Sequence, residues 1–312
     1  MKVLITGGAG FIGSNVAYSF LKEGHKVIVL DDYSRDGVLE NVKWLSQNFS
    51  HTGRLQLVEG DIRYVGLRHA LENIDVVFHF AAQVGVQASI NDPHYDFTVN
   101  ALGTFRLLDL VRELKKKPLF VFASTNKVYG DFATDKPVSE SQPLSFCTPY
   151  GCSKGAADQY VLDYAKIFGV PGVVLRMSCI YGNRQFGTEE QGWLCHFMRN
   201  KENHVTVYGD GTQVRDALYI DDYVRLMHEL VANKDIVKGQ VFNIGGGEEN
   251  AVSVNQVLKE IGNTNISFSD WRPADQKYYV SDITKITSFI KWRPEISVNE
   301  GLKKLKLWVN EL

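Results

Sequence analysis

Positive charge is not in surplus in this chain: 34 lysines and arginines stand against 36 aspartates and glutamates, a formal charge of -2. Nucleic acids and anionic membranes ask for clustered Lys and Arg, so neither is expected as a partner. Cysteine is scarce, with Cys147, Cys152, Cys179 and Cys195 the only four in 312 residues. They form no C-x-x-C pair and adjoin no His cluster, so no metal site or disulfide framework is expected, and a reducing compartment fits best. No stretch approaches the roughly 20 apolar residues that span a bilayer. The opening MKVLITGG lacks a charged segment followed by a long apolar one, and the expected location is the cytoplasm. Internal repeats and low-complexity linkers are also missing.

What is present is a set of short apolar runs: KVLIT, KVIVLDD, LQLVEGD, DVVFHFAA, LFVFAS and GVVLRM. Each is too short for a helix and apolar on both faces, the pattern of strands buried on both sides. Between them lie stretches with helical spacing, such as FIGSNVAYSFLKEG and VNALGTFRLLDLVRELKKK. Strand alternating with helix predicts an α/β fold, a Rossmann-type doubly wound parallel sheet. The rhythm breaks after Met177, resumes in LYIDDYVRLMHELVANK and QVFNIGG, and then gives way to short irregular elements. The expected division is a dinucleotide-binding domain over 1–178 and 216–245, with a smaller, mostly C-terminal substrate domain over 179–215 and 246–312.

The first strand runs into TGGAGFIGS, which places Gly7, Gly10 and Gly13 at the turn into a helix opened by Phe11 and Ile12. Glycines there let the backbone turn tightly and approach a pyrophosphate, held by the free N–H groups and positive end of the helix. Turns collect glycine for steric reasons alone, so the next strand carries weight. It ends at Asp31 and Asp32, where a carboxylate accepts hydrogen bonds from an adenosine ribose and repels a 2′-phosphate. NAD is therefore expected rather than NADP.

TGGAGFIGS, HFAAQ, STNKVYGD and PYGCSK, in this order, resemble the extended short-chain dehydrogenase/reductases that act on nucleotide sugars, over essentially the whole chain. The resemblance implies that Tyr150 and Lys154, of the family's Tyr-x-x-x-Lys pair, carry the proton chemistry. Spacing of four residues puts them on one helix face. A phenol with a pKa of about 10 needs help to act as a base, and the neighbouring ammonium and the positive nicotinamide are expected to supply it. Lys154 is also expected to hold the nicotinamide ribose. The resemblance further implies that Thr125 and its neighbour Ser124 hydrogen-bond the substrate hydroxyl, that Asp61 and Ile62 meet the adenine, that Ala81, Ala82 and Gln83 line the cofactor, and that Asn100 is structural. It implies a homo-oligomer, a dimer or tetramer. Some relatives of this fold bind NAD(H) without turnover as redox sensors, but these typically lose the Tyr or the Lys.

Epimerisation, 4,6-dehydration and plain oxidation or reduction compete on such a scaffold. Related dehydratases carry an Asp-Glu pair where this chain has Asn126 and Lys127, and neither residue can replace a carboxylate acid or base. Epimerisation is expected. C4 epimerisation of a UDP-sugar is the commonest activity of the family, whereas STNKVYGD, YGNRQFGTEEQGW, QVRDALYIDD and WRPEISV resemble the branch that epimerises CDP-tyvelose at C2. C4 epimerases usually have Asn where Cys179 follows Arg176, and a thiol cannot replace an amide donor. The favoured substrate is thus a CDP-sugar, with CDP-paratose/CDP-tyvelose and CDP-glucose/CDP-mannose both open. Guanidinium groups suit a diphosphate. Arg215 and Arg272 match family positions, and with Asn126, Gln185 and Gln191 they form the expected substrate contacts.

Overall fold

The computed structural model describes residues 1–64, 67–132, 134–272 and 275–312. Its strands are β1 (Lys2–Thr6), β2 (Lys26–Asp31), β3 (Leu55–Glu59), β4 (Val76–His79), β5 (Leu119–Thr125), β6 (Gly172–Met177) and β7 (Cys179–Tyr181). They continue with β8 (Val205–Tyr208), β9 (Val214–Tyr219), β10 (Val241–Ile244), β11 (Ala251–Ser253), β12 (Ile266–Ser269) and β13 (Tyr278–Tyr279). Seven of them form one parallel sheet in the order β10-β6-β5-β4-β1-β2-β3.

Alternation along the strands explains the layers. Val3, Ile5, Val27 and Val29 enter a core on one face with Val16, Phe20 and Tyr223, which belong to helices Phe11–Lys22 and Ile220–Ala232. Leu4, Ile28, Leu30, Phe120 and Phe122 enter a second core on the other face, against Leu107, Leu108 and Val161 of helices Thr104–Glu113 and Thr148–Phe168. A sheet covered on both faces needs apolar residues at every strand position, which is why these strands read as continuous apolar runs. β3 departs from that expectation. It pairs only with β2, at the sheet edge, and exposes Gln56, Leu57 and Glu59.

The helix expected over 99–117 is also different. Thr98–Gly103 is wound as a π-helix and the α-helix proper spans Thr104–Glu113. Asn100 lies in the widened turn, where its Oδ1 accepts from Gln83 N at 2.9 Å and its Nδ2 donates to Gln83 O, Asp96 Oδ1 and Ser153 Oγ at 2.9, 3.0 and 3.1 Å. Such widened turns tend to occur at functional sites.

The chain leaves the sheet after β6, and β7 pairs with β9, which also pairs with β13 in parallel and β11 in antiparallel sense. Helix Ile220–Ala232 and β10 then return to the large sheet, β10 beside β6. β12 pairs with β8 in a separate two-stranded sheet. Strand order reverses between β1 and β4, so a crevice opens at their C-terminal ends, flanked by the segments after β2, β5 and β6. No helix among the described residues is long and apolar enough to cross a membrane.

Candidate active site

The crevice holds two adjoining cavities of about 450 and 410 Å3 that share Gly7, Gly10, Arg35, Phe80 and Ala82. The smaller lobe is built by the turns after β1 to β4. Gly7 has φ +65°, and a Cβ on it would lie 2.6 Å from Ala81 N, so only glycine lets these two turns meet. A Cβ on Gly13 would lie 2.3 Å from Gly7 O. At Gly10 a Cβ would touch only Gly7 O, at 3.2 Å, and otherwise fill the cleft. Gly10 caps helix Phe11–Lys22 without a side-chain bond, and the first turn has no acidic residue. Its N–H groups and dipole are thus available to an anion.

Asp31 and Asp32 line this lobe together with Asp61, Ile62, Ala81, Ala82 and Gln83. Asp31 also ties the glycine turn to the end of β2, since its Oδ2 accepts from Ala9 N and its Oδ1 from Tyr33 N, both at 3.0 Å. Burial pushes its pKa up, and these amide bonds oppose the shift. Asp32 is exposed and accepts from Ser34 N at 3.0 Å and Ser34 Oγ at 2.7 Å. Asp61 holds Arg63, with Nε 2.9 Å and Nη2 2.6 Å from Oδ2. Gln83 Oε1 is buried without a hydrogen-bond partner among the described residues. An anion-ready helix start, a cleft that a side chain at Gly10 would fill, a carboxylate at the end of β2 and an unsatisfied acceptor together fit a dinucleotide.

The larger lobe holds Tyr150, Lys154, Ser124 and Thr125. Helix Thr148–Phe168 begins with Thr148 at φ +69° and Pro149 in its first turn, which sends Tyr150 into the cleft. Tyr150 N donates to Ser89 Oγ at 3.1 Å, and the Tyr150 phenol lies beside Thr125, whose Oγ1 donates to Asn126 Oδ1 at 3.3 Å. Lys154 is 3% exposed, its Nζ 4.3 Å from the centre of the Phe122 ring. Ser124 lines the cleft but is also bonded within the protein. Its Oγ donates to Asp158 Oδ2 at 2.9 Å, and Asp158 also takes Arg176 Nε and Nη2 at 2.9 and 3.0 Å. The Ser124 hydroxyl therefore gives its hydrogen to a buried ion pair and keeps only acceptor capacity, and Thr125 is the hydroxyl beside the phenol.

Electrostatics correct one expectation. Burial pushes Tyr150 up to about 12, with the Thr125 hydrogen bond opposing and Asp96 adding to the rise, and Lys154 is not among the causes. Burial draws Lys154 down to about 7, against the pull of Asp96 and Asp158. Loss of water outweighs the attraction expected between the two groups.

The substrate candidates Asn126, Gln185, Gln191, Arg215 and Arg272 line the same lobe. Asn126 Nδ2 donates to Gln276 Oε1 at 3.0 Å, and Arg215 Nη2 to Asp275 Oδ1 at 2.8 Å. Gln185 Oε1 is buried and unpartnered among the described residues. Arg272 stacks 3.8 Å over the Tyr208 ring and donates from Nη1 to Glu189 O at 3.1 Å. Gln191 differs from expectation, because its Oε1 accepts from Arg35 Nη2 at 2.5 Å. The segment 187–192 is a strap between the lobes, and this bond fastens it to the loop after β2. Nothing in the sequence points to Arg35, Asp275 or Tyr208; their partners lie 156, 60 and 19 residues away, beyond any local spacing signal.

A family model described as GDP-mannose 4,6 dehydratase matches residues 4–305. The chain belongs to this family. It is 41% identical to a CDP-paratose 2-epimerase of Salmonella typhi, with 100% of each chain covered. It is 32% identical to a putative UDP-glucose 4-epimerase of Methanocaldococcus jannaschii, with 98% of each covered. Among solved structures, a UDP-glucuronic acid 4-epimerase from Bacillus cereus, in complex with UDP-glucuronic acid and NAD, superposes with a TM-score of 0.89 at 30% identity, covering 100% of this chain and 99% of that one. The family thus holds NAD-dependent nucleotide-sugar epimerases and dehydratases with this sheet.

Proposed function

We propose that this protein is an NAD-dependent epimerase of nucleotide-diphosphate sugars that inverts C2 of a CDP-sugar. The observation that carries the reading is that Tyr150, Thr125 and Lys154 line one cleft together with an anion-ready glycine turn. NAD, when bound, supplies the acceptor and then the donor of a hydride. Gly7, Gly10 and Gly13 would face its pyrophosphate, Asp31 and Asp32 its adenosine ribose, and Lys154 its nicotinamide ribose. Tyr150 takes the proton of the sugar hydroxyl during oxidation and returns it during reduction, and Thr125 orients that hydroxyl. Between the two steps the keto sugar turns its other face inside the cleft, which keeps bulk water from it.

Dehydration asks for a carboxylic acid and a carboxylate beside the sugar, and Asn126 and Lys127 occupy the position where dehydratases carry them. Oxidation at C2 and the cytidine base are supported by the likeness to the CDP-paratose 2-epimerase. C4 epimerisation of a UDP-sugar is the second reading, favoured by the likeness to 4-epimerases. Four free cysteines suit a cytoplasmic setting. Ile90, Phe97, Tyr160 and Ile167, exposed on helices Val86–Asn91, Pro93–Phe97 and Thr148–Phe168, suit assembly into a dimer or tetramer. Proton NMR of the purified protein incubated without added NAD, separately with CDP-glucose, CDP-paratose and UDP-glucose, tests the reading. The C2 epimer of a CDP-sugar is expected; UDP-galactose as the sole product would favour the second reading.

A further inference from the structure

Lys127 follows Thr125 by two residues, in the short helix Asn126–Tyr129 where β5 ends, and its backbone N donates to Thr125 Oγ1 at 3.2 Å. Its side chain, 18% exposed, lines the larger lobe with Nζ 3.8 Å from Asp275 Oδ1. The same oxygen accepts from Arg215 Nη2 at 2.8 Å. Among the described residues, one carboxylate oxygen therefore lies against both cations, in the wall of the cleft next to Thr125. Burial first, and then the Arg215 guanidinium, disfavour the Lys127 ammonium, while Asp275 offsets part of that cost. A bound anion between the two cations would relieve it.

Sugar geometry says which anion belongs there. C2 is bonded to the anomeric carbon that carries the diphosphate, whereas C4 lies across the ring from it. An enzyme that oxidises C4 holds the diphosphate a ring's width from its reacting pair. One that oxidises C2 must bring the sugar-bearing phosphate almost to that pair. We propose that Lys127, with Arg215 behind it, grips the sugar-bearing phosphate beside Thr125 and so sets C2, rather than C4, against Tyr150. This deepens the C2 reading and rests on it.

The test compares the NAD-loaded wild type with Lys127→Met, which keeps the stem and removes the charge, and Lys127→Arg, which keeps the charge. Affinity for CDP and for CMP is measured by calorimetry, and C2 inversion of CDP-glucose and of CDP-paratose by NMR. The expected result is that Lys127→Met binds CDP about 10- to 100-fold more weakly and loses C2 inversion in similar proportion, while CMP affinity and NAD content stay at wild-type values. Lys127→Arg is expected to recover most of the CDP affinity. Wild-type CDP affinity in Lys127→Met, or an equal loss for CMP and CDP, overturns the assignment. If the wild type itself does not invert C2, the parent reading fails, whatever the variants do.

Discussion

Tyr150 and Lys154 are displaced by burial in opposite senses, the phenol up to about 12 and the ammonium down to about 7. The phenol therefore stays protonated at neutral pH in the protein alone, and under the proposed mechanism the positive charge of a bound nicotinamide would have to favour its ionised form. Tyr150→Phe should lower turnover by about 10²- to 10⁴-fold with NAD content unchanged, measured by NMR of product and by absorbance of released cofactor. Wild-type turnover in that variant would remove Tyr150 from the mechanism. Lys154 lends itself to a stability test. Its folded pKa lies below its unfolded value, so between about pH 7 and the unfolded value the unfolded chain holds the extra proton, and this group's contribution to stability rises with pH by roughly 1.4 kcal/mol per unit. Lys154→Met should be inactive yet more stable than the wild type near pH 7, by a margin that shrinks toward pH 9 in paired thermal melts. A margin that grows with pH would show that the ammonium is not held below its ordinary range.

Helix Thr148–Phe168 carries Tyr150 and Lys154, and it is tied to the sheet by Asp158, which is fully buried and paired with Arg176 of β6 and Ser124 of β5. Removing one partner of a buried ion pair leaves an uncompensated charge. Asp158→Ala should therefore destabilise the fold by about 3–5 kcal/mol in denaturant melts, where a surface carboxylate would cost under about 1 kcal/mol. The strap of residues 187–192 is fastened on one side by Arg35 to Gln191 and on the other by Tyr208 and Arg272 to Glu189. Arg35→Ala should loosen the cofactor lobe and raise the NAD dissociation constant about 10-fold, seen as NAD lost during gel filtration. Full retention of NAD would mean that the strap does not confine it.

Across the molecule, legibility follows the range of the interactions. Strands β1, β2, β4, β5 and β6 and the glycine turn are legible because full burial on both faces and a tight turn leave local marks. β3 breaks the expected burial because an edge strand needs apolar residues at fewer positions. The part of the chain after β6 is opaque: β9 joins β7, β11 and β13, and β8 joins β12, through pairings that no local pattern announces. Residue types in the site are legible and their allegiances are not. Ser124 turns to Asp158 and Gln191 to Arg35 because partners far along the chain compete for the same polar atoms. In the sequence Lys127 is legible only as a missing carboxylate, and its place beside Asp275, which also binds Arg215, emerges only from the structure.

The central claim, inversion at C2 by removal and return of the same hydrogen, is tested most directly with CDP-glucose deuterated at C2, incubated with the NAD-loaded protein in ordinary water and followed by NMR. The predicted product is inverted at C2 and keeps its deuterium there. Washout of the label into solvent, or a product inverted at C4, would contradict it.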